Sequence, residues 1–283
     1  MIKVIEKEPE VLETVYEPSH GWTSINLGEV WEYRELLLFL TWRDIMVRYK
    51  QAALGVAWAI LQPLLTMVIF SVIFGQLAKL PSDGIPYPVF SYVALLPWNF
   101  FAGSLTRAGV SLVASSNLIT KVYFPRLIIP MSAVVAGLVD FAIAFVILLG
   151  LMLFYGIVPT WNVLWLPLFL LLTLLTSLAV SLWLSALNVQ YRDVQYAIPF
   201  LVQAWMYASP VAYSAGLIPS SGIWRIIYGL NPMAGVIQGF RWALLGGNPP
   251  DILMAVSTAM VLVLLLTGLI YFKNMEKIFA DVV

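Results

Sequence analysis

The chain has 283 residues, of which 61% are hydrophobic and only 11% are charged, and its mean hydropathy is +0.90. Because a soluble domain carries about 25% charged residues, this composition excludes a water-soluble globular enzyme and indicates an integral membrane protein. The net charge of zero argues against a nucleic-acid partner, and the absence of cysteine excludes disulfides and thiolate metal sites. His20 is the only histidine, so we expect no metal site and no catalytic triad.

Residues 1–29 predict a short soluble tail, and residues 30–283 predict the transmembrane domain. The tail begins with an acidic rather than a basic stretch, and no long apolar run follows it. It therefore lacks the pattern of a signal peptide.

An amphipathic helix is predicted over residues 31–50, just before the first apolar run. At 100° per residue, one stripe of this helix holds Trp31, Leu38, Trp42 and two further apolar positions, Ile45 and Tyr49. This pattern favours a helix that lies flat at the cytoplasmic interface of the membrane. The alternative is a cytoplasmic helix packed against a partner.

Six apolar windows are long enough to cross a hydrocarbon core of about 30 Å, which takes about 20 helical residues. The sequence therefore predicts an all-α membrane protein with six transmembrane helices. The predicted spans are 56–78, 88–113, 127–156, 162–187, 194–215 and 252–272.

A weaker apolar window, residues 223–245, lies between the last two predicted spans. The pair Asn231-Pro232 is expected to break its helix, and Gln238 and Arg241 make it more polar than the spans. We interpret it as two short re-entrant helices on the outer side, shielded from lipid by protein. The alternative is a seventh span.

The orientation of the spans follows from the positive charges of the short loops. Six spans place both termini on one side, and most lysines and arginines fall on that side, whereas the other side holds Lys79, Arg225 and Arg241. Both termini are therefore predicted to be cytoplasmic, in a multi-pass protein of the bacterial inner membrane.

Two ionisable residues, Asp140 and Arg107, lie within predicted spans. Charges inside a membrane are costly and usually functional, so Asp140 is a candidate for coupling transport to an ion gradient. A proton or sodium relay usually needs more than a single carboxylate within the spans. The favoured interpretation is a polar contact between helices, for example with Arg107.

The fifth predicted span carries polar and aromatic residues at spacings of three and four, which puts them on one helix face: Tyr196, Phe200, Gln203, Tyr207 and Pro210. Aromatic rings with polar handles suit sliding contact with sugar rings. The alternative, which the sequence slightly favours, is ordinary packing between helices.

Two predicted cytoplasmic loops, residues 117–130 and 188–200, combine a few charges with aromatic residues. They suit docking on a cytoplasmic partner. The alternative is that they carry only the positive charge that is usual in cytoplasmic loops. No lysine is followed by serine or threonine, so the chain has no P-loop. We therefore expect no enzymatic activity of its own, and active transport would need energy from another subunit or an ion gradient.

Five segments in order resemble the permease subunits of ATP-binding-cassette polysaccharide exporters, and the O-antigen permeases in particular, with capsule and teichoic-acid permeases as relatives. The resemblance covers about residues 30–283. The segments are RDIMVRYKQAALGVAWAILQPLLTMVIFSVIFG at 43–75, KVYFPRLIIP at 121–130, NVQYRDV at 188–194, SPVAYSAGLIP at 209–219 and NPMAGVIQGFRWALLGG at 231–247.

The resemblance implies partners that the residues alone do not reveal. These are a second copy of the chain, two cytoplasmic ATPase subunits that bind ATP and magnesium, membrane lipid, and a glycan on an undecaprenyl-type lipid. This chain itself would hold no cofactor.

The resemblance also implies roles for particular residues. The coupling contacts to the ATPase would be Asn117, Lys121, Tyr123, Phe124, Pro125, Arg126, Tyr191, Arg192 and Asp193. The substrate channel would be lined by Trp58, Gln62, Tyr196, Phe200, Gln203 and Tyr207. The outer gate helices would include Asn231, Pro232, Gln238 and Arg241.

Two other classes of function compete with the exporter. A gradient-driven transporter would depend on Asp140. A membrane-embedded transferase for lipid-linked sugars would need acid and base residues at the head groups, where the outer loops offer only Asp83 and Asp251. Aromatic stacking tolerates many sugars, so the residues do not distinguish O-antigen, capsule and teichoic acid.

Overall fold

The computed structural model describes residues 27–50, 55–217, 223–247, 249 and 251–282. The predicted tail, apart from its last residues, lies outside this range. The described residues form α-helices, short 3-10 and π segments, and no strand. The helices are α1 Leu27–Glu32, α2 Arg34–Lys50, α3 Gly55–Phe70, α4 Tyr87–Ala114, α5 Ser116–Lys121, α6 Ile128–Val135, α7 Gly137–Phe154, α8 Leu166–Gln190, α9 Val194–Ala208, α10 Ile223–Leu230, α11 Pro232–Leu245 and α12 Ile252–Val282.

Five helical segments of the described chain are long and apolar enough to cross a membrane. They are Ala57–Leu77, Tyr87–Ala114, Ile128–Phe154, Trp161–Gln190 and Ile252–Glu276. This confirms an all-helical protein with several candidate membrane spans, at five of the six predicted positions.

The remaining predicted span, residues 194–215, is shorter in the structure, so the count of six is not confirmed. Helix α9 has 15 residues and ends at Ala208, which gives about 22 Å against a hydrocarbon core of about 30 Å. The reason is Pro210. A proline disfavours helical backbone in the residue before it, and Ser209 is extended, with ψ at 151°.

The two ends of the bundle are defined by which loops meet there. The α5 end holds α5, residues 122–127, residues 191–193 and the last part of α12, where Ile119, Phe124 and Val189 share a buried cluster with Phe272 and Phe279. The opposite α11 end holds α10, α11 and residues 209–217. Helix α9 runs from the first end to the second, because Gln195 bonds to Asn188 and Trp205 bonds to Asn231.

Helix α4 forms the centre of the bundle and packs against α8, α6, α7 and α11. It is 78% buried, compared with 17% for the first and last spans. It is also the least apolar of the five spans, as expected of a helix that is surrounded by protein rather than by lipid. Trp98, Tyr92 and Phe101 fill the core around it.

Helix α8 buries five hydroxyl residues, Thr173, Thr176, Ser177, Ser181 and Ser185. Several of these hydroxyls donate to the carbonyl four residues earlier, which satisfies them within the helix. Small residues of this kind let transmembrane helices pack backbone to backbone. At Gly268 of α12, a Cβ would lie 2.9 Å from the Ala179 carbonyl oxygen, so this contact requires glycine.

The predicted break at Asn231-Pro232 is confirmed. Helices α10 and α11 meet at Asn231, which has an extended backbone and caps α11 by accepting a hydrogen bond from the Met233 amide. Pro232 occupies the first turn of α11, where its missing N–H costs nothing.

Candidate functional site: a charged cavity and the two ends of the bundle

A cluster of charged residues surrounds Asp140 on α7. The carboxylate accepts hydrogen bonds from the Arg48 guanidinium and the Tyr49 hydroxyl of α2, and Arg107 Nη1 of α4 lies 3.6 Å from Asp140 Oδ2. The sequence favoured a polar contact for Asp140, for example with Arg107, and the structure contains this contact. Arg48 and Tyr49 were missed, because a contact between residues more than 90 positions apart leaves no local signal in one sequence.

Tyr49 is held in its protonated form. Burial, together with the hydrogen bond to the Asp140 carboxylate, raises the pKa of Tyr49 to about 12. The hydroxyl therefore stays a donor to Asp140 at neutral pH. Two cationic neighbours and one hydroxyl donor therefore surround the Asp140 carboxylate.

The cluster opens into a cavity of about 560 Å³ between α2, α3, α4 and α7. Polar side chains of the first two spans, Gln62, Asn99 and Thr106, line it together with Trp58. The structure thus places Trp58 and Gln62 beside Asp140. The other predicted channel residues, on α9, lie outside this cavity.

Four predicted channel residues share the exposed face of α9. Tyr196 and Phe200 are 78% and 73% exposed, and Gln203 and Tyr207 are exposed beside them, whereas Ile198 on the opposite face is buried. Packing within the chain, the alternative for this stripe, does not use these side chains. They are available to substrate, lipid or a second copy.

Helix α5 and the loop that follows it contain both exposed and anchored residues. Asn117, Lys121 and Tyr123 are exposed, whereas Phe124 is buried and Pro125 is partly buried. The Arg126 amide donates to Glu276 Oε1 at 3.1 Å, and its guanidinium donates to the Glu276 carbonyl. Phe124 and Arg126 therefore tie the loop to α12, and the first three residues are the ones that a partner can reach.

The second predicted coupling segment lies at the same end of the bundle. Tyr191, Arg192 and Asp193 are exposed. Buried Asn188 accepts a hydrogen bond from the Gln195 amide at 3.1 Å, which fixes the turn between α8 and α9. The structure therefore brings both predicted coupling segments to one face, although 64 residues lie between Arg126 and Tyr191 in the chain.

At the α11 end, Asn231 joins three elements. Its Oδ1 accepts from Trp205 Nε1 at 3.0 Å and from the Met233 amide, and its Nδ2 donates to the Ala208 carbonyl and to Ser209 Oγ. This one amide fixes the end of α9 against the junction of α10 and α11.

Arg241 and Gln238 of α11 border a second cavity of about 800 Å³. Arg241 donates to the carbonyls of Tyr213 and Val211 at 3.0 Å and lies 3.7 Å from the centre of the Phe90 ring. Gln238 donates to the Tyr228 hydroxyl at 2.9 Å. The predicted gate residues thus join α10, α11 and the 209–213 turn into one assembly.

The chain is similar in sequence to known transport proteins over nearly their whole length. The chain is 32% identical over 252 residues to the O-antigen export system permease protein RfbA of Myxococcus xanthus, covering 88% of this chain and 96% of that protein. It is 30% identical over 258 residues to the protein of the same name from Klebsiella pneumoniae, covering 91% and 97%. It is 26% identical over 255 residues to the polysialic acid transport protein KpsM of Escherichia coli, covering 85% and 92%.

Residues 35–245 match the family model described as ABC-2 type transporter. The matched range begins in α2, contains the charged cavity and both predicted coupling segments, and ends with α11. The chain therefore belongs to the ABC-2 type transporter family.

Proposed function

We propose that this chain is the membrane-spanning permease subunit of an ATP-driven exporter that carries lipid-linked polysaccharide of the O-antigen type across the cytoplasmic membrane. The observation that carries the proposal is the near full-length similarity to O-antigen export permeases, which covers 96% and 97% of two of them. Export of capsule is the second candidate. We rank capsule export second because the identity to the polysialic acid transport protein is lower, at 26%.

The proposed topology has six crossings and both termini in the cytoplasm. Helix α9 and the turn at residues 209–213 together form the short sixth crossing, and α10 and α11 form a re-entrant pair on the outer side. Lys121, Arg126 and Arg192 at the α5 end support a cytoplasmic position for that end. The polar contacts of Asn231 and Arg241 support a pair shielded from lipid.

The proposed transport path lies between two copies of the chain. The exposed face of α9, with Tyr196, Phe200, Gln203 and Tyr207, supports this placement because it offers aromatic surface and polar handles to successive sugars. No fixed charge lies on this face, so a neutral glycan can slide along it without a strong binding minimum.

The proposed energy source is a separate ATPase subunit that docks at the α5 end, one for each copy. The exposed residues Asn117, Lys121, Tyr123 and Arg192 form the docking surface. When the ATPases close on ATP, α5 moves with them. The anchors Phe124 and Arg126 transmit this movement to α12 and the bundle, because both are fixed to that helix.

The test is purification of the tagged chain in mild detergent from its native host, followed by mass spectrometry of the co-purified proteins. We expect a P-loop ATPase at one copy per permease. The variant Lys121→Glu should lose the ATPase by reversing a charge at the docking surface. The control Lys79→Gln, an exposed cation between α3 and α4, should keep it.

A permease that is recovered folded but without any ATPase would contradict the proposal and favour the gradient-driven transporter. Asp140→Asn then decides between the two classes. Export driven by ATP should survive this change, whereas gradient coupling through Asp140 should be abolished.

A further inference from the structure

The charged cavity carries an excess of positive charge. The described residues that line it include two guanidinium groups, Arg48 and Arg107, and one carboxylate, Asp140. The three side chains are each 25–31% exposed, so they are not sealed within the core. Asp140 is shared by the two guanidinium groups, so an anion in the cavity would give the second of them a partner of its own.

The backbone makes room for one of the two cations. A Cβ at Gly103, one turn before Arg107, would lie 2.8 Å from Arg107 Nη1, and a Cβ at Gly137 of α7 would lie 2.7 Å from Nη2. The Arg107 guanidinium therefore sits in a notch formed by two glycines on facing helices. Its Nη2 has no partner among the hydrogen bonds of the described chain, which leaves donor capacity at the cavity.

The shape and donors of the cavity favour a phosphate group. Guanidinium groups bind phosphate with two parallel hydrogen bonds, which a single carboxylate partner does not exhaust. Gln62, Asn99 and Thr106 add neutral side chains that can donate to phosphate oxygens. A volume of about 560 Å³ has room for a diphosphate and part of a sugar beside Trp58.

The wall of the cavity indicates that the phosphate belongs to a lipid. Helix α3 forms one side of the cavity, and only 17% of this span is buried. Its outward residues Leu61, Leu65 and Val68 are exposed and apolar. An acyl or polyprenyl chain can therefore lie along α3 while its phosphate enters the cavity.

We infer that this cavity binds the phosphate or diphosphate group of a lipid, with Arg48 and Arg107 as its ligands and Asp140 as the counter-ion that the phosphate displaces. The inference rests on the proposed function, because it identifies which part of a lipid-linked substrate the permease holds. Without ligand, Asp140 neutralises one guanidinium. With ligand, both guanidinium groups turn to the phosphate.

The experiment is native mass spectrometry of the complex purified in detergent, with three probes. These are a polyprenyl diphosphate, the matching polyprenol without phosphate, and inorganic pyrophosphate as a competitor. We expect the wild type to retain the polyprenyl diphosphate and not the polyprenol. Arg107→Gln should bind it about tenfold more weakly, the effect of losing one charged hydrogen bond of about 1.4 kcal/mol.

Asp140→Asn gives a sharper test, because it removes the competing carboxylate. If Asp140 is a displaced counter-ion, this variant should bind the polyprenyl diphosphate several-fold more tightly than the wild type. If the cluster only fastens α2 to α7, the variant should bind no better. Arg43→Gln, an exposed arginine of α2 that pairs with Asp44 and does not line the cavity, is the matched control and should bind as the wild type does.

Three results would overturn the inference: equal binding of polyprenol, unchanged binding in Arg107→Gln, or complete displacement by inorganic pyrophosphate at equal concentration, which would identify a free anion as the ligand. Arg107→Lys keeps the charge but lacks the two parallel donors of the guanidinium group. It replaces Arg107→Gln if that variant does not fold. Because binding is measured without ATP, a negative result leaves the proposed exporter intact, whereas absence of the ATPase contradicts the exporter alone.

Discussion

Arg107 and Arg241 are both arginines within apolar helices, and their surroundings differ in kind. Arg241 donates to two backbone carbonyls at 3.0 Å and stacks on Phe90, so its interactions all lie within the protein. Arg107 lies in a notch beside a cavity, 3.6 Å from a carboxylate that it shares with Arg48. Arg241 fixes a turn, whereas the Arg107 charge is available to a ligand in the cavity.

The difference shows that burial of a cation in a membrane protein does not by itself indicate function. Backbone acceptors hold a guanidinium permanently, because they cannot move away without unfolding the turn. A side-chain carboxylate can be exchanged for another anion. The chemical kind of partner, rather than the charge itself, separates the structural arginine from the candidate ligand-binding one.

The largest expected effect is the loss of Arg241. Arg241→Met leaves the carbonyls of Tyr213 and Val211 without their donors, which should destabilise the complex by about 3 kcal/mol or more. The measurement is thermal unfolding in detergent, followed by size-exclusion chromatography. Arg107→Met is the comparison and should cost about 1 kcal/mol. Equal losses in the two variants would contradict the distinction between them.

The next largest effect is expected for Asn231→Ala, which should lower the free energy of unfolding by about 2 kcal/mol. The amide makes hydrogen bonds to α9 and to the start of α11 that alanine cannot replace. Limited proteolysis between residues 209 and 230 should become faster in this variant, because the end of α9 is released. Unchanged proteolysis would mean that Asn231 does not hold these elements together.

A smaller effect is expected at the two glycines of α7. Gly137→Ala should displace the Arg107 guanidinium and weaken retention of a polyprenyl diphosphate, with little change in melting temperature. Gly150→Ala is the matched control, since a Cβ there meets nothing within 4 Å. It should keep binding and stabilise the helix by about 0.5–1 kcal/mol. Equal binding by the two variants would argue against the notch.

The smallest effect is expected at Tyr49. Tyr49→Phe removes one donor to Asp140 and should cost about 1 kcal/mol. The folded protein raises the pKa of Tyr49 from 10 to about 12, so this contribution is complete below pH 10 and is lost as the pH rises through 12. The difference in melting temperature from the wild type should therefore be the same at pH 6 and pH 9.

The long apolar helices and the break at Asn231-Pro232 could be predicted because they follow from hydropathy and from the backbone chemistry of proline. The length of α9 could not. Its apolar character continues to residue 215, and Pro210 was read as part of the helix face rather than as its end. The hydropathy of a window does not distinguish a crossing helix from a shorter helix followed by a packed turn.

The candidate site divides in the same way. The aromatic stripe of α9 and the two polar loops were visible as periodicity and composition. Phe124 and Arg126 were grouped with the exposed loop residues, although the structure packs Phe124 in a core and bonds Arg126 to Glu276. Exposure of a loop residue depends on the helix that passes over it, here α12, which lies 150 residues further along the chain.

The sequence by itself determined that this protein belongs in a membrane and where its apolar segments lie, because the cost of exposing these groups to the wrong solvent is local. For Asp140 it favoured a polar contact between helices, for example with Arg107. Only the tertiary structure decided that Arg48 and Tyr49 join Arg107 around that carboxylate, and that two glycines open the space beside it. Such contacts join helices that are distant in the chain, and they arise from the packing of the whole bundle.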